Sequence, residues 1–458
     1  MGSGTFVASV RTGRAPRRAA TDPLRPRTGW HFEPLPVSAD DDKPRYDFRT
    51  GIPDAELFPF DTWRRLVAAE VRLRANSPGT YAEPAGHPAL RAAIARYLGV
   101  SRSIRVTAAD VLVTNGTQHA LDLIARVLLK PGDVVAVEEP GYPPARRLFD
   151  SFGARVVGVP VDDEGLVVSA LPAATRLVYS TPSHQFPLGR PMSLARRHAL
   201  LDWARRRPAA IVEDDYDSEF RFSARPLEPL YGMGDADRVL YLGTFSKSML
   251  PMVRTGFVLA PASLRAALVA ARQLSDGYGQ MAVQAALARF IDEGQLARHV
   301  RRATKEYAAR HAAIVAALSA MPELEVIPSA AGLHVTALLR SGDAARAARV
   351  VAGAARAGVA LDDLTMYFAA LCSASGEEAD PGTSAASAAR AAQVSGTSRT
   401  RAPRAEAGAV PGSASAEEAE QSGQRSVAQA GFVFGFGATH SATIGDGLAI
   451  FAEALRSA

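Results

Sequence analysis

A lysine flanked by hydroxyl side chains follows an apolar run in the second half of the chain. Lys247 comes after the run Val239–Leu242, with Thr244 and Ser246 just before it and Arg254 seven positions after it. A lysine amine can form a Schiff base with an aldehyde, while hydroxyls and a guanidinium can hold a phosphate. Arginine can bind a phosphate through two parallel N–H groups, a bidentate contact that lysine cannot make. This spacing indicates binding of a phosphorylated aldehyde.

A second polar segment, Glu213–Asp217, follows the apolar run Ile211–Val212. A carboxylate at the end of a strand can pair with the protonated nitrogen of a pyridine ring and keep that ring electron-poor. Tyr216 lies within this segment, and its hydroxyl can hydrogen-bond a phenolic oxygen on such a ring. The segment therefore complements the chemistry that Lys247 indicates.

A third segment, Thr114–Gln118, follows the run Val111–Val113 and opens a helical pattern. Gly116 and its polar neighbours would bring backbone N–H groups to a phosphate at a helix N-terminus, where the helix dipole favours an anion. Each of the three segments has a plain alternative when taken singly: a surface lysine, a helix cap and a turn glycine. Their occurrence at three strand ends favours one shared site.

Short runs rich in Val, Ile and Leu alternate with amphipathic stretches between residues 46 and 370. Strands that alternate with helices predict a largely parallel sheet covered on both faces, with functional groups at the carboxyl ends of the strands. The predicted strands are Val111–Val113, Val134–Val137, Val156–Val161, Leu177–Ser180, Ile211–Val212, Val239–Leu242 and Thr255–Leu259. Gln118–Leu129 and Leu194–Arg206 are predicted helices between them.

The remaining segments predict a domain organisation. Residues 46–320 form a large domain whose first residues can join the small one; residues 321–372 and 431–458 form a small C-terminal α/β domain. Residues 262–320 are predicted to be mostly helical, with a long amphipathic segment from about Val283 to Leu318. In residues 373–430, 33 of 58 residues are Ala, Ser or Gly, which predicts a disordered insertion because too little apolar surface is present to offset ordering. Residues 1–45 hold a basic, proline-rich linker.

Composition excludes several classes of protein. The 458 residues are 47% hydrophobic and 22% charged, which is ordinary for a globular chain. A net charge of +5 does not by itself indicate nucleic-acid binding. The single cysteine, Cys372, excludes an internal disulfide and a multi-cysteine zinc site, and no metal site is predicted. No apolar run is long enough for a membrane span and no leader is evident, so a cytoplasmic location without membrane contact is expected.

Together these segments resemble a fold type I, class I/II pyridoxal-phosphate-dependent aminotransferase. The runs Thr181–Pro187, Glu213–Phe220 and Gly243–Lys247 are similar to the MocR-type branch of the GntR regulators, in which an aminotransferase-like domain follows a winged helix-turn-helix. The run Gly2–Ala8 is similar to the last strand of the wing. The resemblance implies an α/β fold with a large, mostly parallel sheet, and a DNA-binding domain that is largely missing.

The resemblance also implies roles for single residues. Lys247 would be the internal aldimine lysine, Asp214 the partner of the pyridine nitrogen, and Tyr216 the partner of the phenolic oxygen; Lys247 would also move the α-proton. Tyr142 would stack on the ring, and Tyr81 would reach the phosphate of the neighbouring subunit in a homodimer. The residues implied around the phosphate are Gly116, Thr117, Gln118, Thr244, Ser246 and Arg254.

Two positions depart from the aminotransferase pattern. Phe186 stands where many of these enzymes have an asparagine beside the phenolic oxygen, although phenylalanine is similar to the MocR-type pattern. Val433 stands where the arginine for a substrate carboxylate is expected, so an amino-acid carboxylate would lose a charge-assisted bidentate contact. His184 and His119 are expected to be structural or surface residues, because the freed lysine normally moves the proton.

Two functions remain open at this stage. The first is a regulator core that binds pyridoxal phosphate and senses an amine or amino acid as an external aldimine through Lys247. The alternative is a working aminotransferase that transfers an amino group from an amino acid to a keto acid. The wing-like segment and Val433 favour the first, and this chain is not expected to bind a specific operator by itself.

Overall fold

The computed structural model describes residue 27 and residues 30–32, 44–72, 79–222, 228–234, 237–368 and 429–458. The chain divides into a short unit, Met1–Val37, and a unit that spans Ser38–Ala458. In the short unit the Trp30 and Phe32 rings meet edge to face with centroids 5.1 Å apart. The segment 373–430 lies outside the described residues except for 429 and 430, as does the wing-like segment Gly2–Ala8.

Strands and helices alternate along the second unit, as the pattern of apolar runs predicts. The strands are β1 Tyr46–Phe48, β2 Val111–Thr114, β3 Val134–Glu139, β4 Arg155–Asp162, β5 Gly165–Leu166, β6 Thr175–Ser180, β7 Ala210–Asp215, β8 Val239–Thr244, β9 Gly256–Leu259, β10 Leu324–Val326, β11 His334–Leu339, β12 Val359–Asp363 and β13 Gly431–Gly435. The helices are α1 Phe60–Arg72, α2 Pro88–Ser101, α3 Thr117–Leu128, α4 Pro143–Ser151, α5 Leu194–Arg205, α6 Ala262–Ser275, α7 Met281–Asp292, α8 Gln295–Ser319, α9 Ala344–Arg356 and α10 Ile444–Ser457.

The larger sheet has eight strands in the order β2-β9-β8-β7-β6-β3-β4-β5. Its centre, from β4 through β3, β6 and β7 to β8, is parallel, and antiparallel strands close both edges. Successive residues face different cores: Ile211 of β7 joins one apolar cluster and Val212 joins the other. The sheet is therefore buried on both faces, which explains why its strands read as continuous apolar runs.

The smaller sheet has five strands in the order β1-β12-β13-β11-β10 and packs against α8, α9 and α10. Its edge strand β1 comes from the start of the chain and pairs in parallel with β12. Next to it, β13 pairs antiparallel with β11 and brings Val433 opposite Thr336. Residues far apart in sequence thus meet in one sheet, while the predicted domain boundaries stay a prediction.

The long amphipathic segment predicted from about Val283 to Leu318 is helical and contains one break. The segment forms two helices, α7 and α8, which separate at Gly294. Gly294 has a φ of +70°, a left-handed conformation that glycine adopts without steric cost. The amphipathic pattern continues across the break, so periodicity alone did not reveal it. Among the described residues, no helix has both the length and the apolar character needed to cross a membrane.

Close packing between β8 and β9 leads to a first prediction. Gly243 pairs with Phe257, and a Cβ on Gly243 would overlap the buried Phe257 ring. We expect Gly243→Ala to lower the free energy of unfolding by about 1–3 kcal/mol, because the crowded ring must move. Urea unfolding measures the loss. Gly445→Ala is the control, since open space surrounds that position, and an equal loss in both variants would contradict the packing argument.

Candidate functional site

A cavity of about 350 Å³ lies at the carboxyl ends of β6, β7 and β8, at the N-terminus of α3 and beside the start of β11. Residues from all three polar segments of the sequence analysis line it, namely Thr114–Gln118, Glu213–Asp217 and the segment around Lys247. Residues from the loop after β1 line it as well. The lining residues are Thr50, Gly51, Thr117, Gln118, Tyr142, Tyr179, Thr181, Phe186, Asp214, Tyr216, Asp217, Thr244, Ser246, Lys247, Pro251, Arg254, Leu333 and His334. The expectation that strand ends gather these groups therefore holds.

Asp214, on β7, has one carboxylate oxygen satisfied and one free. Its Oδ2 accepts a hydrogen bond from the Tyr179 hydroxyl at 2.8 Å, while its Oδ1 is buried with no hydrogen-bond partner. Burial raises the pKa of Asp214 to about 7, although the Tyr179 hydrogen bond acts in the opposite direction. An unpartnered buried carboxylate oxygen is costly, and a cationic N–H donor in the cavity would satisfy it.

The environment of Asp214 makes the stability of the ligand-free protein depend on pH. With a pKa raised from 3.8 to about 7, ionisation disfavours the folded state, so stability falls as pH rises through this window. Asp214→Asn cannot ionise. Its free energy of unfolding, relative to that of the wild type, is expected to rise by roughly 2–3 kcal/mol between pH 5 and pH 8.

Urea unfolding at the two pH values measures this difference. Glu213, whose pKa burial also raises to about 7, is present in both proteins and cancels from the comparison. Asp61→Asn, on the first turn of α1 with a side chain 92% exposed, is the matched control. If the wild type and the Asp214→Asn variant lost stability equally between pH 5 and pH 8, that result would contradict the assignment of this pH dependence to Asp214.

Lys247 lies in the turn that follows β8. Its Nζ donates a hydrogen bond to the Gly51 carbonyl oxygen at 2.7 Å. Burial lowers the pKa of Lys247, while Asp217 and Asp214 act in the opposite direction. Gly51 has a φ of +78°, and a Cβ there would lie 2.8 Å from Lys247 Nζ. The backbone of the loop after β1 thus lies close to the amine, and its left-handed conformation at this position favours glycine.

The loop after β1, whose Gly51 carbonyl accepts the hydrogen bond from Lys247, is itself anchored to the smaller sheet. Asp362 of β12 accepts hydrogen bonds from the Thr50 backbone N–H and from the Tyr367 hydroxyl, both at 2.9 Å. The Thr50 Oγ1 lies 3.2 Å from the same Tyr367 hydroxyl. This network fixes Thr50, and with it the carbonyl of Gly51 that positions the lysine amine.

One corner of the cavity gathers groups that can hydrogen-bond to an anion. Gly116, with a φ of +81°, is the N-cap of α3, and a Cβ there would lie 3.6 Å from the Arg254 Nη1. Arg254 adopts a left-handed backbone with a φ of +46°, which is unusual for a side chain of its size. Thr244 Oγ1 accepts from the Ser246 backbone N–H at 3.2 Å. A helix N-terminus, a guanidinium and two hydroxyls therefore border the same cavity, and groups of these kinds can hold an anion.

Tyr216 and the His184–Asp217 pair form a buried hydrogen-bonded group beside this corner. The Tyr216 hydroxyl donates to the His184 carbonyl at 3.0 Å and lies 3.0 Å from the His184 Nδ1. His184 Nδ1 is 3.1 Å from both carboxylate oxygens of Asp217, and its Nε2 is 3.1 Å from Ser329 Oγ. Burial raises the pKa of Tyr216 well above its usual range, so its hydroxyl keeps its proton.

His184, Asp217 and His334 bring potential metal-ligating atoms within 4.8 Å of one another. Most of the ligating atoms of the first two are engaged with each other, so this group is a hydrogen-bonded pair with a neighbouring imidazole. The expectation of no metal stays a prediction. His119 is likewise engaged: its Nδ1 accepts from the Asn115 backbone N–H at 3.1 Å.

Two aromatic side chains narrow the cavity. Tyr142 meets the Phe186 ring edge to face at 5.8 Å, and burial raises the pKa of Tyr142. Phe186 also meets Tyr367 edge to face at 5.1 Å. Behind them Val433 is fully buried in an apolar cluster with Tyr367 and Leu188. Val433 is therefore a packing residue, and the strand supplies no charge at this position.

Tyr81 is the one proposed site residue that lies away from the cavity of its own chain. Its side chain is 94% exposed and meets Tyr278 edge to face at 6.5 Å. Ten other proposed residues surround or approach one cavity, and nine of them line it: Thr117, Gln118, Tyr142, Asp214, Tyr216, Thr244, Ser246, Lys247 and Arg254. The tenth, Gly116, caps the helix that faces it. Their individual roles stay predictions.

The sequence did not reveal several lining residues. Tyr179 lies on β6, the strand next to β7, and donates its hydroxyl hydrogen bond to Asp214. This contact depends on the order of the strands in the sheet, which a local stretch of sequence does not indicate. Thr50 and His334 belong to the smaller sheet and its loops, far from the chemical segments in sequence. Asp217 is the last residue of the polar segment Glu213–Asp217, and its place in that segment was the available signal. Long-range contacts of this kind leave no local pattern.

The fold and site define a known class of protein. Residues 54–366 match the family Aminotransferase class I and II. This match covers more than half of the chain, and the protein belongs to that family. Its fold is the fold type I of pyridoxal-phosphate-dependent transferases, as the resemblance implied, and the fold-class prediction is confirmed.

Individual relatives add detail. Over 273 residues the chain is 41% identical to the probable rhizopine catabolism regulatory protein MocR of Rhizobium meliloti, covering 59% of this chain and 55% of MocR. Over 348 residues it is 35% identical to the uncharacterized HTH-type transcriptional regulator YhdI of Bacillus subtilis, covering 75% and 74%. The chain thus spans about half of the first relative and three quarters of the second.

A solved aminotransferase has a similar structure. LysN, the alpha-aminoadipate aminotransferase of Thermus thermophilus, was solved in complex with N-(5'-phosphopyridoxyl)-L-leucine. It superposes with a TM-score of 0.71 at 25% sequence identity, covering 90% of this chain and 92% of LysN. The chain is therefore similar both to regulators and to enzymes of the family.

Proposed function

We propose that this chain is the pyridoxal-phosphate-binding, effector-responsive part of a MocR-type transcriptional regulator of the GntR family. One observation carries the proposal: Lys247 and Asp214 line the same cavity, and one carboxylate oxygen of Asp214 is buried there without a hydrogen-bond partner. The regulator relatives, 41% and 35% identical, favour a signalling role over a purely metabolic one. The effector would be a small amine or amino acid that reaches the cavity.

The residues present fit pyridoxal phosphate. Asp214 Oδ1, buried and without a partner, matches the protonated nitrogen of the pyridine ring. The corner formed by Arg254, Thr244, Ser246 and the N-terminus of α3 matches the phosphate. When bound, the cofactor supplies an aldehyde that condenses with amines and a ring that withdraws electrons. The ring nitrogen and the phosphate thus each have an oppositely charged or hydrogen-bonding counterpart.

Three side chains would manage protons around the cofactor. Asp214 would hold a proton on the ring nitrogen, and the Tyr179 hydroxyl would fix the orientation of its carboxylate through the 2.8 Å hydrogen bond. Lys247 has a lowered pKa because it is removed from water, which increases the fraction of neutral amine able to bond to a carbonyl carbon. Tyr216 keeps its proton, and its hydroxyl would exchange the His184 carbonyl for the phenolic oxygen of the cofactor as the acceptor of its one donated hydrogen bond.

The aminotransferase alternative has its own support. Lys247, Asp214 and Arg254 together form the set that amino-group transfer needs, and all three line the cavity. Val433, buried in an apolar cluster, leaves that strand without a guanidinium for a substrate carboxylate. The site is therefore better suited to retaining an amine than to turning over amino acids.

A homodimer is part of the proposal. Tyr81 is 94% exposed on a surface pocket that also includes Val67, Val71 and Tyr278. Tyr81 and Val71 are exposed and the other two are half-buried, and exposed apolar side chains that share a patch are typical of an interface. A second copy of the chain would cover them and place Tyr81 near the phosphate corner of its neighbour.

Titration with pyridoxal phosphate tests the proposal. We expect a visible absorbance band in the wild type, a change of that band with a subset of amines, and no release of keto acid from amino acids. Sustained release of keto acid would establish the aminotransferase alternative instead. A wild type without any cofactor band would contradict both functions.

A further inference from the structure

The proposed function assigns both cationic side chains of the cavity lining to the cofactor, but only one of the two carboxylates. Among the lining residues that the structure describes, the cations are Lys247 and Arg254, and the proposed function assigns both to the cofactor. Asp214 is assigned to the ring nitrogen. Asp217 is the remaining ionisable acid, 1% exposed and paired with the His184 Nδ1 at 3.1 Å. A ligand that entered with a carboxylate would meet an acidic side chain and no uncommitted cation on these walls.

The wall on the side of the smaller sheet is apolar or neutral. Val433 lies fully buried behind Phe186 and Tyr367. His334, the first residue of β11, lines the cavity and is 2% exposed. Its ring centroid lies 4.7 Å from that of His184 and 5.4 Å from that of Phe186.

His334 has an unused hydrogen-bonding atom. Its Nε2 is buried without a hydrogen-bond partner. Burial holds the pKa of His334 well below its usual range, although a hydrogen bond to the Pro187 backbone acts in the opposite direction. Proline has no N–H, so the ring donates in that bond, and the neutral imidazole keeps Nε2 as an acceptor. An uncharged acceptor at this wall suits a hydroxyl of the ligand.

We infer that the ligand of this cavity is a carboxylate-free amine that carries a hydroxyl group, such as an amino alcohol, and that His334 determines this specificity. The amine would reach the cofactor carbonyl beside Lys247, and the hydroxyl would donate to His334 Nε2. The inference rests on the proposed function, because it presumes that pyridoxal phosphate occupies the cavity.

Three amines with the same carbon skeleton test the inference on the cofactor-loaded protein. They are L-alaninol, L-alanine and isopropylamine, which carry a hydroxymethyl, a carboxylate and a methyl group on the same carbon. Titration calorimetry and the cofactor absorbance both give the dissociation constant. We expect L-alaninol to bind about tenfold more tightly than isopropylamine, as one satisfied buried acceptor implies, and L-alanine to bind most weakly.

Variants of His334 separate specificity from folding. His334→Leu removes the acceptor and is expected to lower the affinity for L-alaninol about tenfold, to the level of isopropylamine, whose own affinity stays unchanged. His334→Gln, which keeps an acceptor, is expected to restore part of the preference. His198→Leu, at an exposed position on α5, is the control.

The outcomes are distinguishable. Failure of the wild type to bind pyridoxal phosphate overturns the proposed function itself, and the inference falls with it. Normal cofactor binding with L-alanine preferred over L-alaninol overturns the inference alone. An equal loss of affinity for all three amines in His334→Leu also overturns it, because that result assigns His334 a structural role.

Discussion

Lys247→Ala is expected to abolish covalent attachment of pyridoxal phosphate. Lys247 is the lysine that lines the cavity, where burial lowers its pKa and the Gly51 carbonyl holds its amine. Lys130 and Lys305 are exposed and lie outside the cavity lining. The variant should therefore lack the visible band that the wild type shows with the cofactor, and borohydride treatment should leave no cofactor mass on the protein.

Lys305→Ala, on the exposed side of α8, is the matched control and should keep the band unchanged. Thermal unfolding of both variants checks that the cavity variant is folded. A folded Lys247→Ala protein that still gains the mass of reduced cofactor on another lysine would contradict the assignment of the site.

Asp214→Asn is expected to weaken pyridoxal phosphate binding by about a hundredfold to a few thousandfold at neutral pH. Removing one partner of a buried charge pair leaves the other uncompensated, at a cost of about 3–5 kcal/mol. In this protein the partner would be the protonated ring nitrogen opposite the free Oδ1. Equilibrium dialysis at several cofactor concentrations measures the effect without relying on the absorbance of the bound state.

Asp292→Asn, at the exposed end of α7, controls for a general change in charge. The effect of Asp214→Asn on cofactor affinity is opposite in sign to its effect on stability. Asparagine relieves the ligand-free protein of a buried carboxylate while it removes the ligand's counter-charge. An affinity within about threefold of the wild type would contradict the role of Asp214 as that counter-charge.

The sequence was most informative where chemistry and local structure coincide. Asp214 and Lys247 each follow an apolar run, and the carboxyl ends of adjacent parallel strands meet at one edge of a sheet. Their proximity could therefore be predicted without any long-range information. Gly116 was predictable for the same reason, because a strand, a glycine and a helix follow one another directly.

Other parts of the site depend on contacts that no local pattern encodes. His334 comes from β11, and Thr50 from the loop after β1, whereas the chemical segments lie on the larger sheet. The sequence does not indicate that Tyr179 belongs to the site, because tyrosines in strands are usually packing residues. The break at Gly294 leaves no signal in the apolar pattern, which persists from α7 into α8.

The most direct test of the account is to locate the cofactor on the wild-type chain. The protein is incubated with pyridoxal phosphate, reduced with borohydride, digested and mapped by mass spectrometry. We expect the added mass on the peptide that contains Lys247, at one equivalent per chain. Modification confined to Lys43, Lys130 or Lys305, or spread among them, would contradict the central claim that Lys247 and Asp214 form a pyridoxal phosphate site.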